Sequence, residues 1–152
     1  MEYRKANIED IPLLKELRKK QLLDEGIEAN QNIDQDLEQF FQKYLLSESL
    51  IQMLVVEQEH GKIIATGAIV IYEFPPTYTN SSGRKAYVTN MYTEEAFRGK
   101  GIATNLLKKL VEEARERDIK KMWLGASKLG RPVYKKFGFK ETDEWMELEI
   151  ES

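Results

Sequence analysis

The sequence predicts a mixed α/β fold in which antiparallel hairpins flank one helical crossover. Three observations carry that expectation. Two apolar-rich segments, Leu50 to Glu57 and Ile63 to Glu73, flank Gln58-Glu59-His60-Gly61-Lys62, which reads as a hairpin turn. A third strand-like run, Ala86 to Thr93, passes through a glycine-containing loop into a segment whose apolar residues Ile102, Leu106, Leu110 and Ala114 recur every four positions. Lys121 to Leu124 then reads as a short strand, parallel to Ala86–Thr93 or nearly so, because a helix joins the two.

Glu2 to Lys5 suits a short opening strand. Asn7 is a helix N-cap, with Asp10 three residues on completing a variant of the capping box. The helix it opens carries Ile11, Leu14, Leu17 and Leu22 and stops at Gly26. After a polar connection, Glu25 to Asn32, a second helix places Ile33, Leu37, Phe40, Phe41, Tyr44 and Leu45 on one face. Its Asp34, Asp36 and Glu38 lie where they complement the helix dipole. Phe74 to Lys85, with Pro75-Pro76 and Asn80-Ser81-Ser82-Gly83, is a loop. Pro132 fits the first turn of a short helix that Gly138 ends. Phe139-Lys140-Glu141 and Trp145 to Ile150 alternate apolar with polar and are expected to pair as the last two strands. No repeat, low-complexity segment or linker interrupts the chain, so residues 1–152 are expected to form one domain.

Composition narrows the function classes. With 41% hydrophobic and 32% charged residues, the chain is of the globular type. A net charge of −3, without an arginine-rich stripe, argues against nucleic acid as a partner. No apolar run approaches the ~20 residues that cross a bilayer, and the N-terminus lacks a signal peptide's apolar core. No membrane partner and a cytoplasmic location are the default expectations. The absence of cysteine removes disulfides, a thiolate nucleophile and cysteine-ligated metals, and no metal is expected.

The chemistry concentrates at residues 98–104. The first turn of the helix beginning at Ile102 has backbone N–H groups without intrahelical partners, and the helix dipole adds partial positive charge there. Gly99 and Gly101 allow the main chain to approach a ligand closely, and Arg98 and Lys100 add formal charge. An anion site follows, most naturally for phosphate or pyrophosphate. It is not a Walker A loop, because Lys100 lies between the glycines and Ile102 follows the second. Nor is it a dinucleotide fingerprint: Thr104 replaces the third glycine, and the next strand ends in Leu124-Gly125-Ala126 rather than an acidic residue.

Arg98-x-x-Gly101-x-Ala103 resembles the Q/R-x-x-G-x-G/A signature of acyl-CoA binding in the GNAT superfamily of N-acetyltransferases. Tyr134-Lys135-Lys136-Phe137-Gly138-Phe139 is similar to that family's Tyr-x-x-x-Gly-Phe segment, and Asn90-Met91-Tyr92-Thr93 to its central strand. The likeness covers nearly the whole chain. It implies a mostly antiparallel central sheet with a splayed parallel strand pair, flanked by helices. It further implies acetyl-CoA as cosubstrate, its pantetheine pairing with backbone around Met91, Tyr92 and Thr93. The diphosphate would rest on Gly99, Lys100, Gly101, Ile102, Ala103 and Thr104 beside Arg98. Ser127 stands where the family often carries an Asn that touches the cofactor arm. Tyr134 matches the general-acid tyrosine, next to the cofactor.

The activity so implied is transfer of an acetyl group to a primary amine of a small molecule or peptide by direct attack. The alternatives are a non-catalytic acyl-CoA-binding or regulatory module and, third, a nucleotide-binding switch. Glu73, Glu94 and Glu95 are the nearest candidates for a general base, and Glu73, Tyr78 and Asn90 for contact with the acceptor. Glu25, Glu28 and the acidic C-terminus hint at a cationic acceptor. A homodimer is compatible with the resemblance. Each assignment has a plainer counterpart. The glycines alone would equally serve a tight turn, Arg98 and Lys100 solvated charge, and Tyr134 a core aromatic with a satisfied hydroxyl. His60 reads as a turn residue, and Trp123 and Trp145 as core.

Overall fold

The computed structural model describes residues 1–151. A five-stranded sheet runs in the order of the chain: β1 (Glu2–Lys5), β2 (Leu50–Glu57), β3 (Lys62–Glu73), β4 (Arg84–Thr93) and β5 (Met122–Trp123). The first four strands are antiparallel, and β4 and β5 are parallel. Helices α1 (Ile11–Asp24) and α2 (Asp34–Leu46) cover one face. Helix α3 (Ile102–Glu116) covers the other, and α4 (Arg131–Phe137) packs beside it.

Period-two patterning explains the two layers. On β2, Ile51, Met53 and Val55 join the α3 side, with Leu106, Leu107 and Leu110, while Leu50 and Leu54 join α1 and α2 around Leu14 and Phe41. A strand covered on both faces has few polar residues, and β2 has one buried exception. Gln52, only 2% exposed, donates from Nε2 to Thr66 Oγ1 at 2.6 Å and accepts from Asn90 Nδ2 at 3.0 Å. Thr66 passes its own proton to the Met53 carbonyl at 2.8 Å. Three strands are thereby tied by a polar relay whose partners satisfy one another inside the core.

Local signals behaved as their chemistry dictates. Asn7 and Asp10 form the capping box, which closes a 3₁₀ turn over Ile8–Asp10 before α1 begins, and Arg4 reaches the same carboxylate with a two-pronged hydrogen bond. That pairing holds the Asp10 carboxyl below its ordinary range. The β2–β3 hairpin turns at Gly61, φ +67°. β4 starts at Arg84, two residues before the expected strand, because Gly83 at φ +70° lets its carbonyl accept from Phe74 N at 2.7 Å and extends the pairing to Glu73 and Arg84.

The expected C-terminal pair of strands, Phe139–Glu141 with Trp145–Ile150, is not there. Among the described residues no strand follows Trp123. Gly138 and Phe139 spend their N–H groups closing α4 on the Tyr134 carbonyl, and Glu141 pairs with Arg131. The sequence beyond forms no regular element and has no ladder to join, since β5 offers only two residues. Met146, Leu148 and Ile150 stay exposed, and Trp145 meets Trp123 edge-on with ring centroids 5.6 Å apart. No helix among the described residues is long and apolar enough to cross a membrane.

The relay makes a direct stability prediction. Gln52→Leu leaves the Asn90 amide buried without its acceptor and should cost about 1–3 kcal/mol in urea unfolding. A variant as stable as the parent would show that Asn90 has another partner available.

Candidate active site

The site begins with a fault in β4. Thr66 pairs with Tyr92 and Ala68 with Thr89, so Gly67 alone faces both Asn90 and Met91. The extra residue is a β-bulge, and Asn90 adopts the left-handed φ of +55° that it requires. The Asn90 side chain turns to Gln52 on the α1 side, while Met91 packs with the α3-side core. Gly67 is needed for close approach, because a Cβ there would stand 2.4 Å from the Met91 sulfur.

β4 and β5 then part. They pair only at Ala86–Met122 and Tyr87–Trp123, and beyond Tyr87 the edge of β4 runs on to Thr93 without a β5 neighbour. The gap forms a cleft of about 580 Å³. Met91, Tyr92 and Thr93 line it from β4, and Ser127 and Tyr134 from the opposite side. Ser127 Oγ accepts from Gly130 N at 3.1 Å and thus also caps the turn into α4. Gly130 lies flush against the Tyr134 ring, where a Cβ would be 2.8 Å from an aromatic carbon.

The floor of the cleft is the mouth of α3. Gly99, Gly101, Ile102, Ala103 and Thr104 all line it. Gly99 and Gly101 have φ of +78° and +80°, no side chain caps the helix, and the first intrahelical amide to find a partner is Asn105 N, on Gly101 O. With no side-chain cap and these residues lining the cleft, the unpaired amides of the first turn are available to an anion. Arg98 does more than add charge. Its Nε donates to the Thr93 carbonyl at 2.8 Å, and its Nη2 pairs with Asp24 at the end of α1. Lys100 does not line the cleft; its ammonium sits 5.3 Å from the Phe97 ring centre.

Tyr134 is the most perturbed group in the cleft. Burial, with smaller contributions from Glu25 and Tyr87, pushes its hydroxyl up to about 12. The phenol therefore stays protonated and able to donate. The fit to a CoA-type donor is good at each point: open amides for phosphates, an unpaired strand edge for an extended amide arm, and a proton donor beyond.

The sequence profile of the acetyltransferase (GNAT) family matches residues 13–139. The chain belongs to the GNAT acetyltransferase family. A predicted acetyltransferase from Clostridium acetobutylicum, solved with acetyl-CoA, is 56% identical to this GNAT protein over 97% of its chain and 95% of the other, with a TM-score of 0.94. A GCN5-related N-acetyltransferase from Ralstonia eutropha shares the fold at 24% identity and a TM-score of 0.87, covering 97% of each chain. Glucosamine 6-phosphate N-acetyltransferase from Trypanosoma brucei brucei is 23% identical over 66% of this chain and 67% of its own length. The family and the splayed mixed sheet implied by the sequence motifs are both found.

The structure does not bring the expected acceptor contacts to this GNAT cleft. Asn90 is 5% exposed with its amide on Gln52, and neither Glu73 nor the fully exposed Tyr78 lines the cavity. Of the expected bases, Glu94 is paired with Lys20 at 3.0 Å, and Glu95 is outside the lining. Instead α1 supplies Arg18, Gln21, Asp24 and Glu25 to the wall. One signal for them lay in the sequence: Gln21 occupies the position where the stripe of Leu14 and Leu17 calls for another apolar residue.

Gly101→Asp puts a Cβ and a negative charge at the mouth of α3 and should weaken acetyl-CoA binding by about tenfold or more in calorimetry. Gly101→Ala carries the backbone strain without the charge and should lose less. Parental affinity in the Asp variant would place the anion cradle elsewhere.

Proposed function

We propose that this GNAT protein is an N-acetyltransferase that moves the acetyl group of acetyl-CoA to a primary amine by direct attack. The observation that carries the reading is a single cleft lined by the first turn of α3, the bulged edge of β4 and the half-buried Tyr134.

The step balances with solvent as the proton acceptor. The acceptor ammonium gives up one proton to water, its nitrogen lone pair forms a C–N bond to the thioester carbonyl carbon, and the nitrogen loses its second proton to water as the amide forms. The C–S bond breaks, and the departing thiolate takes a proton from the Tyr134 hydroxyl. Tyr134 regains its proton from solvent. An activated ester needs no covalent enzyme intermediate, in keeping with a chain that has no cysteine. The protein's tasks are three: orientation of the two reactants, donation to the carbonyl oxygen from the backbone N–H near Met91, and protonation of the leaving group. The first depends on the diphosphate resting at Gly99 to Thr104 and the arm lying along β4 from Met91 to Thr93. One distant relative is named for glucosamine 6-phosphate, but 23% identity leaves the acceptor to be argued from this cleft.

The test is thiol release from acetyl-CoA over a panel of amines. Tyr134→Phe should lower kcat by about 10²–10⁴-fold with acetyl-CoA affinity retained; an undiminished kcat would remove the general-acid role. Binding of acetyl-CoA without thiol release from any amine would favour an acyl-CoA-binding module instead. A pH profile adds a second check. Because burial raises Tyr134 above the ordinary tyrosine value of about 10, kcat should show no alkaline fall up to about pH 10. An alkaline limb near neutral pH that vanishes in Tyr134→Phe would contradict the assignment.

A further inference from the structure

The wall that α1 contributes is the part of the cleft for which the transfer reading has no use. It lies on the opposite face of the sheet from α3, so it meets the splay from the side away from the phosphate cradle. Arg18 is half-buried there and lines the same cleft as Tyr87 and Tyr134. Arg4, Arg98, Arg117 and Arg131 each pair with a carboxylate; among the described residues Arg18, Arg84 and Arg115 have none, and of these three only Arg18 lines the cleft. Its one side-chain hydrogen bond runs from Nη1 to Gln21 Oε1 at 3.2 Å. The remaining guanidinium donors are not sealed in the core, where they would stand as buried unsatisfied atoms, and Arg18 lines the cleft.

A half-buried guanidinium with no carboxylate in contact is unfavourable, and burial draws the Arg18 pKa down against the smaller opposing effect of the Glu25 charge. Such a group is stabilised when an anion enters. Its neighbours give the anion an orientation. Gln21, itself 7% exposed, donates from Nε2 to Glu25 Oε1 at 3.1 Å while accepting from Arg18. A cation and a carboxylate are thus held at the two ends of one amide group, and a ligand a few bonds long spans both. Glu25 lines the same cleft as Arg18 and Tyr134.

We propose that the acceptor is an amine carrying its own anionic group, a carboxylate or a phosphate, which binds the Arg18 guanidinium while its ammonium end faces Glu25. This replaces the cationic acceptor that Glu25 and Glu28 suggest when read without Arg18. The inference rests on the transfer reading and adds the class of substrate to it. Asp24 lines the same wall but is engaged with Arg98, so it does not compete for Arg18. A planar fork suits either oxyanion.

The experiment compares kcat/KM for matched acceptors: α-amino acids against their amino alcohols, amino-sugar phosphates against the free amino sugars, and polyamines as the cationic arm. Anionic members of one pair should exceed their uncharged partners by about 10–100-fold, and the pair that does so identifies carboxylate or phosphate as the bound group. In Arg18→Gln that ratio should collapse toward one, through KM rather than kcat, and Arg18→Lys should recover part of it. Thermal unfolding and acetyl-CoA titration of each variant separate a lost contact from a lost fold. Preference for uncharged amines or polyamines, or a ratio unmoved in a folded Arg18→Gln, overturns the inference and leaves the transfer reading standing. No thiol release in any arm, with acetyl-CoA bound, overturns both.

Discussion

The hydrogen-bonded relay Asn90–Gln52–Thr66 is the constraint on which the site depends. A bulge in a strand buried on both faces would ordinarily be costly, since it leaves polar groups without ladder partners. Here the residue at the fault is an asparagine, one of the few side chains that tolerate the left-handed region, and its amide is answered two strands away. The bulge resets which side chains of β4 face which layer and puts Met91 among the α3-side residues. Gly67 completes the arrangement by leaving room for the Met91 thioether. The backbone at Met91 owes its position to residues that never enter the cleft.

The second dependence is on α1. Its C-terminal end grips the loop before α3 twice, through Asp24 to Arg98 and Lys20 to Glu94. Arg98 also holds the last carbonyl of β4, so one side chain fixes the distance from the strand edge to the amide cradle. These are partly exposed pairs, and their value lies in geometry more than in stability. The same helix and its C-cap carry Arg18, Gln21 and Glu25 to the cleft, so any shift of α1 moves both the loop before α3 and the opposite wall.

Much of this was legible in the chain and some of it could not be. The β2–β3 hairpin, the Asn7–Asp10 cap and the strand–loop–helix unit around Gly99 and Gly101 announced themselves because each is a local signal, decided by residues within one or two turns of each other. The phosphate-binding reading followed from the same locality. What failed was non-local. The alternation over Trp145 to Ile150 is a genuine strand pattern, yet a strand exists only if an edge receives it, and a two-residue β5 presents almost none. Arg98 looked like a free cation beside a phosphate because its partner, Asp24, is 74 residues away. Asn90 looked like an acceptor contact because strand parity, taken alone, does not say that Gln52 is waiting two strands away.

Gln21 and Gln52 illustrate how such residues are found. Both are glutamines set within apolar runs, one in the Leu14–Leu17 stripe of α1 and one between Ile51 and Met53, and both prove to be buried bridges between polar side chains. A buried amide is retained only where both its ends are satisfied, because an apolar residue of similar size would otherwise be the more stable choice. Each therefore points to partners that the local pattern does not reveal. Gln52 leads to the bulge that shapes the donor side of the cleft. Gln21 leads to Arg18 and Glu25 on the other side, where opposite charges are kept apart by one amide and left open to whatever enters.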